Sequence, residues 1–127
     1  MSFILAIDYD ATLFEGTWPE KGKPMQEIID RVKEFKAHGA ELVLWTCREG
    51  ISLAEATERC AKAGIEFDAI NDNVPSQLEW MKERAEQGEI FATRKIFADF
   101  YLDDRAKNLD IFLNINVKET CDAYKNR

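Results

Sequence analysis

The 127-residue sequence predicts an α/β fold: a single doubly wound (Rossmann-like) domain, with a mainly parallel sheet flanked by helices. Three observations carry this expectation. Short apolar runs alternate with segments of helical period along the whole chain. The helical segments stop at glycines, at Gly39, Gly64 and Gly88. Three of the apolar runs end in residues that carry chemistry, which is where open parallel sheets bind ligands. No internal repeat, low-complexity stretch or linker divides the chain, so residues 1–127 read as one domain.

The first strand is Phe3-Ile4-Leu5-Ala6-Ile7, and it ends abruptly in Asp8-Tyr9-Asp10-Ala11-Thr12. Residues 13–23, with Gly16, Trp18, Pro19 and Gly22, form a loop or small hairpin close enough to cover Asp10. Pro24 opens a helix, in which Ile28, Ile29, Val32 and Phe35 share one face and His38 falls in the last turn. Glu41-Leu42-Val43-Leu44-Trp45 is the second strand, ending in Thr46-Cys47-Arg48. Ser52 and Glu55 have capping-box spacing, ahead of Leu53, Ala56, Cys60 and Ala63 on one face.

Residues 65–70 form a short third strand or extended connection, followed by the turn-forming cluster Asn71-Asp72-Asn73-Val74-Pro75. Ser76 caps a helix running to about Gln87, with Leu78, Met81 and Ala85 inward. Residues 96–102 form a strand ending in Asp103-Asp104-Arg105. Ile111-Phe112-Leu113 reads as a last edge strand and residues 117–124 as a terminal helix. Trp45 and Trp80 read as core, and Trp18 either stacks on a ligand or anchors its loop.

Composition excludes several roles. A net charge of -7 argues against a nucleic-acid or anionic-membrane binder, although a nucleotide is still an acceptable ligand. No apolar run approaches the ~18–20 residues of a membrane span, and the first residues lack the basic stretch of a signal peptide. Cys47, Cys60 and Cys121 have no metal-ligand spacing and read as reduced thiols, which points to a cytoplasmic protein.

Asp8 and Asp10 lie two residues apart at a strand end and repel each other, so ionising both favours a bound cation. Their hard oxygens suit Mg2+. With Asp103 and Asp104 they would hold the metal. Thr46, the backbone N–H groups near Cys47, and Lys95 would bind a phosphate. One carboxylate of the first pair could attack phosphorus while the other moves protons. Arg48 suits a second phosphate or a substrate carboxylate, or pairs with Glu49 or Glu55. Asn71 and Asn73 either read substrate or simply build their turn.

These residues resemble the haloacid dehalogenase-like (HAD) superfamily, whose four motifs occur in order over roughly residues 3–105. Asp8-Tyr9-Asp10-Ala11-Thr12 is similar to its DxDxT motif, Thr46 to the second, Lys95 to the third and Asp103-Asp104 to the fourth. The resemblance implies Asp8 as nucleophile, Asp10 as general acid/base, and Thr46 and Lys95 on the phosphate. It also implies Mg2+ on the Asp8 side chain, the Asp10 backbone carbonyl and the Asp103-Asp104 pair, with Asp104 as the direct ligand. Having Asp10 implies a phosphatase or phosphotransferase rather than a dehalogenase. Ala11 departs from the glycine common in relatives.

Both positions where the family inserts caps are short here, which implies a small, capless or minimally capped phosphatase with an open site. An oligomeric neighbour could then complete that site. The substrate would be a small phosphorylated metabolite or a nucleotide. The competing readings are a receiver-like phospho-accepting signalling domain and a non-catalytic phosphate-binding module on the same scaffold. In a receiver domain the threonine follows a lone acceptor aspartate, whereas here Thr46 precedes the acidic pair that follows Lys95.

Overall fold

The computed structural model of the protein describes residues 2–16 and 22–125. Strands β1 (Ile4–Ile7), β2 (Glu41–Leu44), β3 (Ala69–Ile70) and β4 (Phe100–Leu102) form a sheet of order β3-β2-β1-β4. Every pairing is parallel, with Ile7 opposite both Leu44 and Leu102. The helices are α1 (Gln26–Ala37), α2 (Gly50–Lys62), α3 (Pro75–Glu86), α4 (Leu109–Leu113) and α5 (Val117–Lys125). This is the α/β architecture that the alternating pattern predicts.

Strand alternation divides the core. Leu5, Ile7, Leu42 and Leu44 point to one face, and Ile4, Ala6 and Val43 to the other. The steps from β1 to β2 to β3 run in one direction, so right-handed crossovers put α1 and α2 over the same face. The return to β4 runs the opposite way and puts α3 over the second face. The first face is thick: Ile29, Val32 and Phe35 of α1, Cys60 of α2, Phe112 and Cys121 are all buried there. Phe35 stacks between Phe3 (5.4 Å) and Phe112 (5.3 Å), and Phe112 meets Phe100 at 5.9 Å. Cys60 and Cys121 are free thiols, and burial pushes that of Cys60 up to about 12.

Several local expectations change. Pro24 does not open α1; it forms an antiparallel bridge with Phe14, and the helix begins two residues later at Gln26. Ser52 lies inside α2, its hydroxyl donating to Glu49 O at 2.9 Å, because Gly50 (φ +58) starts that helix early. Ser76 follows Pro75, the first residue of α3, and donates to Glu41 instead of capping. Ile111-Phe112-Leu113 is helical, with Phe112 buried, Leu113 packed against the same core and Ile111 exposed. Arg31 accounts for the carbonyls that such a short helix leaves open, donating to Phe112 O (3.4 Å), Leu113 O (2.7 Å) and Ile115 O.

The fourth strand is shorter than predicted. Asp99 replaces a further rung, its carboxylate accepting the Ile4 N–H at 2.8 Å while its own N–H reaches Ile4 O. Residues 96–98 are left to lie over the second face, where Ile96 is buried. That face is thin. Helix α3 buries Gln77 alone, Leu78 and Trp80 stay exposed, and Trp80 is therefore a surface residue rather than core.

Candidate functional site

The last backbone bond between the central strands sets the site. Asp8 N–H donates to Leu102 O at 2.9 Å, so Asp8 leaves the sheet beside Asp103 and Asp104. This is the carboxyl edge at the point where the strand order reverses, where doubly wound sheets take ligands. The chain then turns tightly: Tyr9 O accepts from the N–H groups of Leu13 (3.0 Å) and Thr12 (3.3 Å), and Ala11 adopts φ +60. That left-handed conformation explains why a glycine would be at ease there.

Asp8, Asp103 and Asp104 each offer a carboxylate oxygen, and these lie within 4.8 Å of one another. Fully buried Thr12 ties the group together. Its hydroxyl accepts the Asp104 N–H at 3.0 Å and is within donating distance of Asp8 Oδ2 (3.2 Å) and Asp104 Oδ1 (3.4 Å). Asn108 braces the acidic loop, accepting from Asp103 N–H (3.2 Å) and donating to Tyr101 O (2.8 Å). The Arg105 N–H donates to Asp103 Oδ1 at 2.9 Å. Burial, then the neighbouring charge of Asp103, pushes the Asp8 carboxyl up to about 7. Three carboxylates crowded in this way are a donor set a divalent cation would satisfy.

Asp10, whose backbone carbonyl the resemblance assigns to the metal, turns its side chain away from the three clustered carboxylates. Its carboxylate is held in a fork by Arg48, Nε to Oδ2 at 2.9 Å and Nη2 to Oδ1 at 2.7 Å. Arg48 is buried, its guanidinium 4.7 Å from the Tyr9 ring centroid, and the Asp10 bond raises its pKa further. The sequence offered one weak signal for this pair, the position of Arg48 just past a strand end.

Thr46 stands at the mouth of β2. Its N–H donates to Asn71 Oδ1 at 2.8 Å and its hydroxyl oxygen accepts the Arg48 N–H at 3.1 Å, which leaves the hydroxyl hydrogen to donate. Cys47, between them, is exposed. Asn73 holds the 91–98 segment, accepting the Phe97 N–H at 2.7 Å. Both asparagines are therefore loop braces. Lys95 is not gathered into the acidic cluster: its Nζ lies 5.5 Å from the Tyr101 ring centroid, in the wall of a cavity on the second face.

The arms of the 13–23 loop are pinned by Arg59, which donates to Gly22 O (2.7 Å) and Tyr9 Oη (3.2 Å). Trp18 lies outside the described residues.

A scan against protein-family models finds no match, and a search of curated proteins finds none. Among solved structures, the chain is similar to a conserved protein coded by a locus of Bacteroides thetaiotaomicron. The two are 32% identical with a TM-score of 0.66, over 83% of this chain and 78% of that one.

Proposed function

The chain belongs to the family of that conserved Bacteroides thetaiotaomicron protein, a kinship that brings no activity with it, and from the site we propose a Mg2+-dependent phosphatase of the HAD type. Its substrate is a phosphate monoester, a small metabolite or a nucleotide. The observation that carries this reading is the convergence of Asp8, Asp103 and Asp104, bridged by Thr12, at the carboxyl edge of the two central strands.

In this reading those three carboxylates hold the cation, which when bound offsets their repulsion and draws charge from the phosphoryl oxygens. Asp8 attacks phosphorus, the ester P–O bond breaks, and the leaving oxygen takes a proton from Asp10. Water then attacks the phosphorus of the Asp8 acyl phosphate and gives a proton back to Asp10, releasing phosphate and free Asp8. Thr46 donates its hydroxyl hydrogen to a phosphoryl oxygen, and Lys95 turns from Tyr101 to meet another. To act as an acid Asp10 must leave Arg48, because a forked guanidinium favours the ionised carboxylate.

The engagement of Asp10 by Arg48 and of Lys95 by Tyr101 favours one second reading, a phosphate-binding module without turnover. Hydrolysis of an aryl phosphate separates the two. The phosphatase reading expects release that needs Mg2+, stops with EDTA and disappears in Asp8→Asn with the fold intact. Metal-dependent release retained in Asp8→Asn would sink the mechanism. Phosphate binding without release by the wild type, across a panel of natural monoesters, would favour the module.

A further inference from the structure

Between α3 and residues 91–98, on the thin face of the sheet, lies a cavity of about 460 Å³. Small-molecule sites span roughly 300–1,000 Å³. Trp80, Phe91 and Phe97 border it, and all three rings are exposed. Trp80 is steadied by Phe91 edge-on at 5.7 Å and by the Arg84 guanidinium 5.8 Å from its ring. Tyr101 also faces the cavity, and its hydroxyl is committed to Ile96 O at 2.6 Å, so the ring is what it presents.

Two polar groups point to the occupant. Gln77 lines the cavity at 7% exposure, and its side-chain amide has no hydrogen-bond partner among the described residues. Arg84 Nε is the one buried side-chain polar atom without a partner among the described residues, so the Gln77 amide keeps its small exposure and is open to a ligand in the cavity. Lys95 supplies a cation on the same wall.

We propose that this cavity binds a planar nitrogen heterocycle bearing a phosphate, the chemistry of a nucleotide. The ring lies among Trp80, Phe91 and Tyr101. Gln77 offers a donor and an acceptor side by side, the pattern with which an amide reads the edge of a base. Lys95 takes the phosphate charge. A sugar phosphate would leave the aromatic walls and Gln77 unused, and a hydrocarbon would leave Gln77 and Lys95 unpaired. That this phosphate is also the one hydrolysed rests on the phosphatase reading; the ring subsite does not.

Calorimetric titration of the whole chain in EDTA, with AMP, UMP and ribose 5-phosphate, tests the proposal. At least one nucleotide is expected to bind tenfold or more tightly than ribose 5-phosphate. Gln77→Leu and Phe91→Ala should each lose at least tenfold for that nucleotide and leave ribose 5-phosphate unchanged. Phe91 is exposed, so its variant keeps the test sound if Gln77→Leu folds poorly. Equal affinities for nucleotide and ribose 5-phosphate, no nucleotide binding, or a folded Gln77→Leu with unchanged affinity would overturn it. A wild type that binds the nucleotide but never hydrolyses it would count against the phosphatase reading alone. A working phosphatase indifferent to the base would count against the ring subsite alone.

Discussion

The two faces of the sheet are built to different ends. The first buries Leu5, Ile7, Leu42 and Leu44 beneath α1, α2, α4 and α5, with Phe35 stacked between two other rings. The second buries Ile4, Ala6 and Val43 beneath Val74 and Ile96, and its helix contributes a glutamine where the first face has phenylalanine. Apolar area removed from water scales with stabilisation, so the fold is held from one side. The thin side and the carboxyl edge are left with aromatic, amide and carboxylate groups that the described residues do not fully pair.

Substitutions can break this contrast. At the edge, Asp10→Asn should lower turnover of an aryl phosphate on the order of 10²–10⁴-fold, as loss of an acid/base group does, and should also lower the melting temperature because buried Arg48 loses its counter-charge. A loss within assay error would reassign Asp10 to structure, as the partner of Arg48. On the thick face, Phe35→Ala should cost about 3–5 kcal/mol by urea titration, whereas Trp80→Ala should cost less than about 1 kcal/mol. Similar costs for the two would remove the distinction between faces.

A pH series sharpens it. Asp8 is raised from its ordinary 3.8 to about 7, so between those values the folded chain binds more protons than the unfolded one. This contribution to stability is full below pH 3.8 and is lost as pH rises to about 7. After solvent screening it amounts to on the order of 2 kcal/mol. Asp8→Asn should flatten that slope and melt above the wild type at pH 8, and a slope that persists in the variant would place its origin elsewhere. The smallest effect is expected at the turn, where Ala11→Gly relieves a φ of +60. The gain, read by thermal melting, should be up to about 1 kcal/mol, and a loss of that size would mean Ala11 is not strained.

What the sequence revealed follows the same division. The strands β1 and β2, the helix stops at Gly39 and Gly64, and the acidic strand ends were legible because each is written in adjacent residues. The inward face of α3 was misread because Leu78, Met81 and Ala85 have helical spacing, yet the helix sits where little sheet remains to cover. Ile111-Phe112-Leu113 is too short for periodicity to separate strand from helix, and the choice falls to Arg31 on a distant element. Asp99 falls inside the apolar run read as strand 96–102, and its carboxylate shortens that strand by accepting the Ile4 N–H. The Asp10–Arg48 fork joins two strand-end loops and has no local signature.

The central position of β1 has one further consequence. All four of its residues are buried, both its edges are paired, and both its faces are covered. Its amides can meet solvent deuterium only when the whole molecule opens, so their exchange reports global unfolding. The 91–98 segment lies outside the strand ladder and is tethered through Asn73, Tyr101 and the buried Ile96, so its amides are expected to exchange earlier than those of β1. On the exchange clock, Asp8 is thus fixed to the last part of the protein to come apart, and Lys95 to an earlier one.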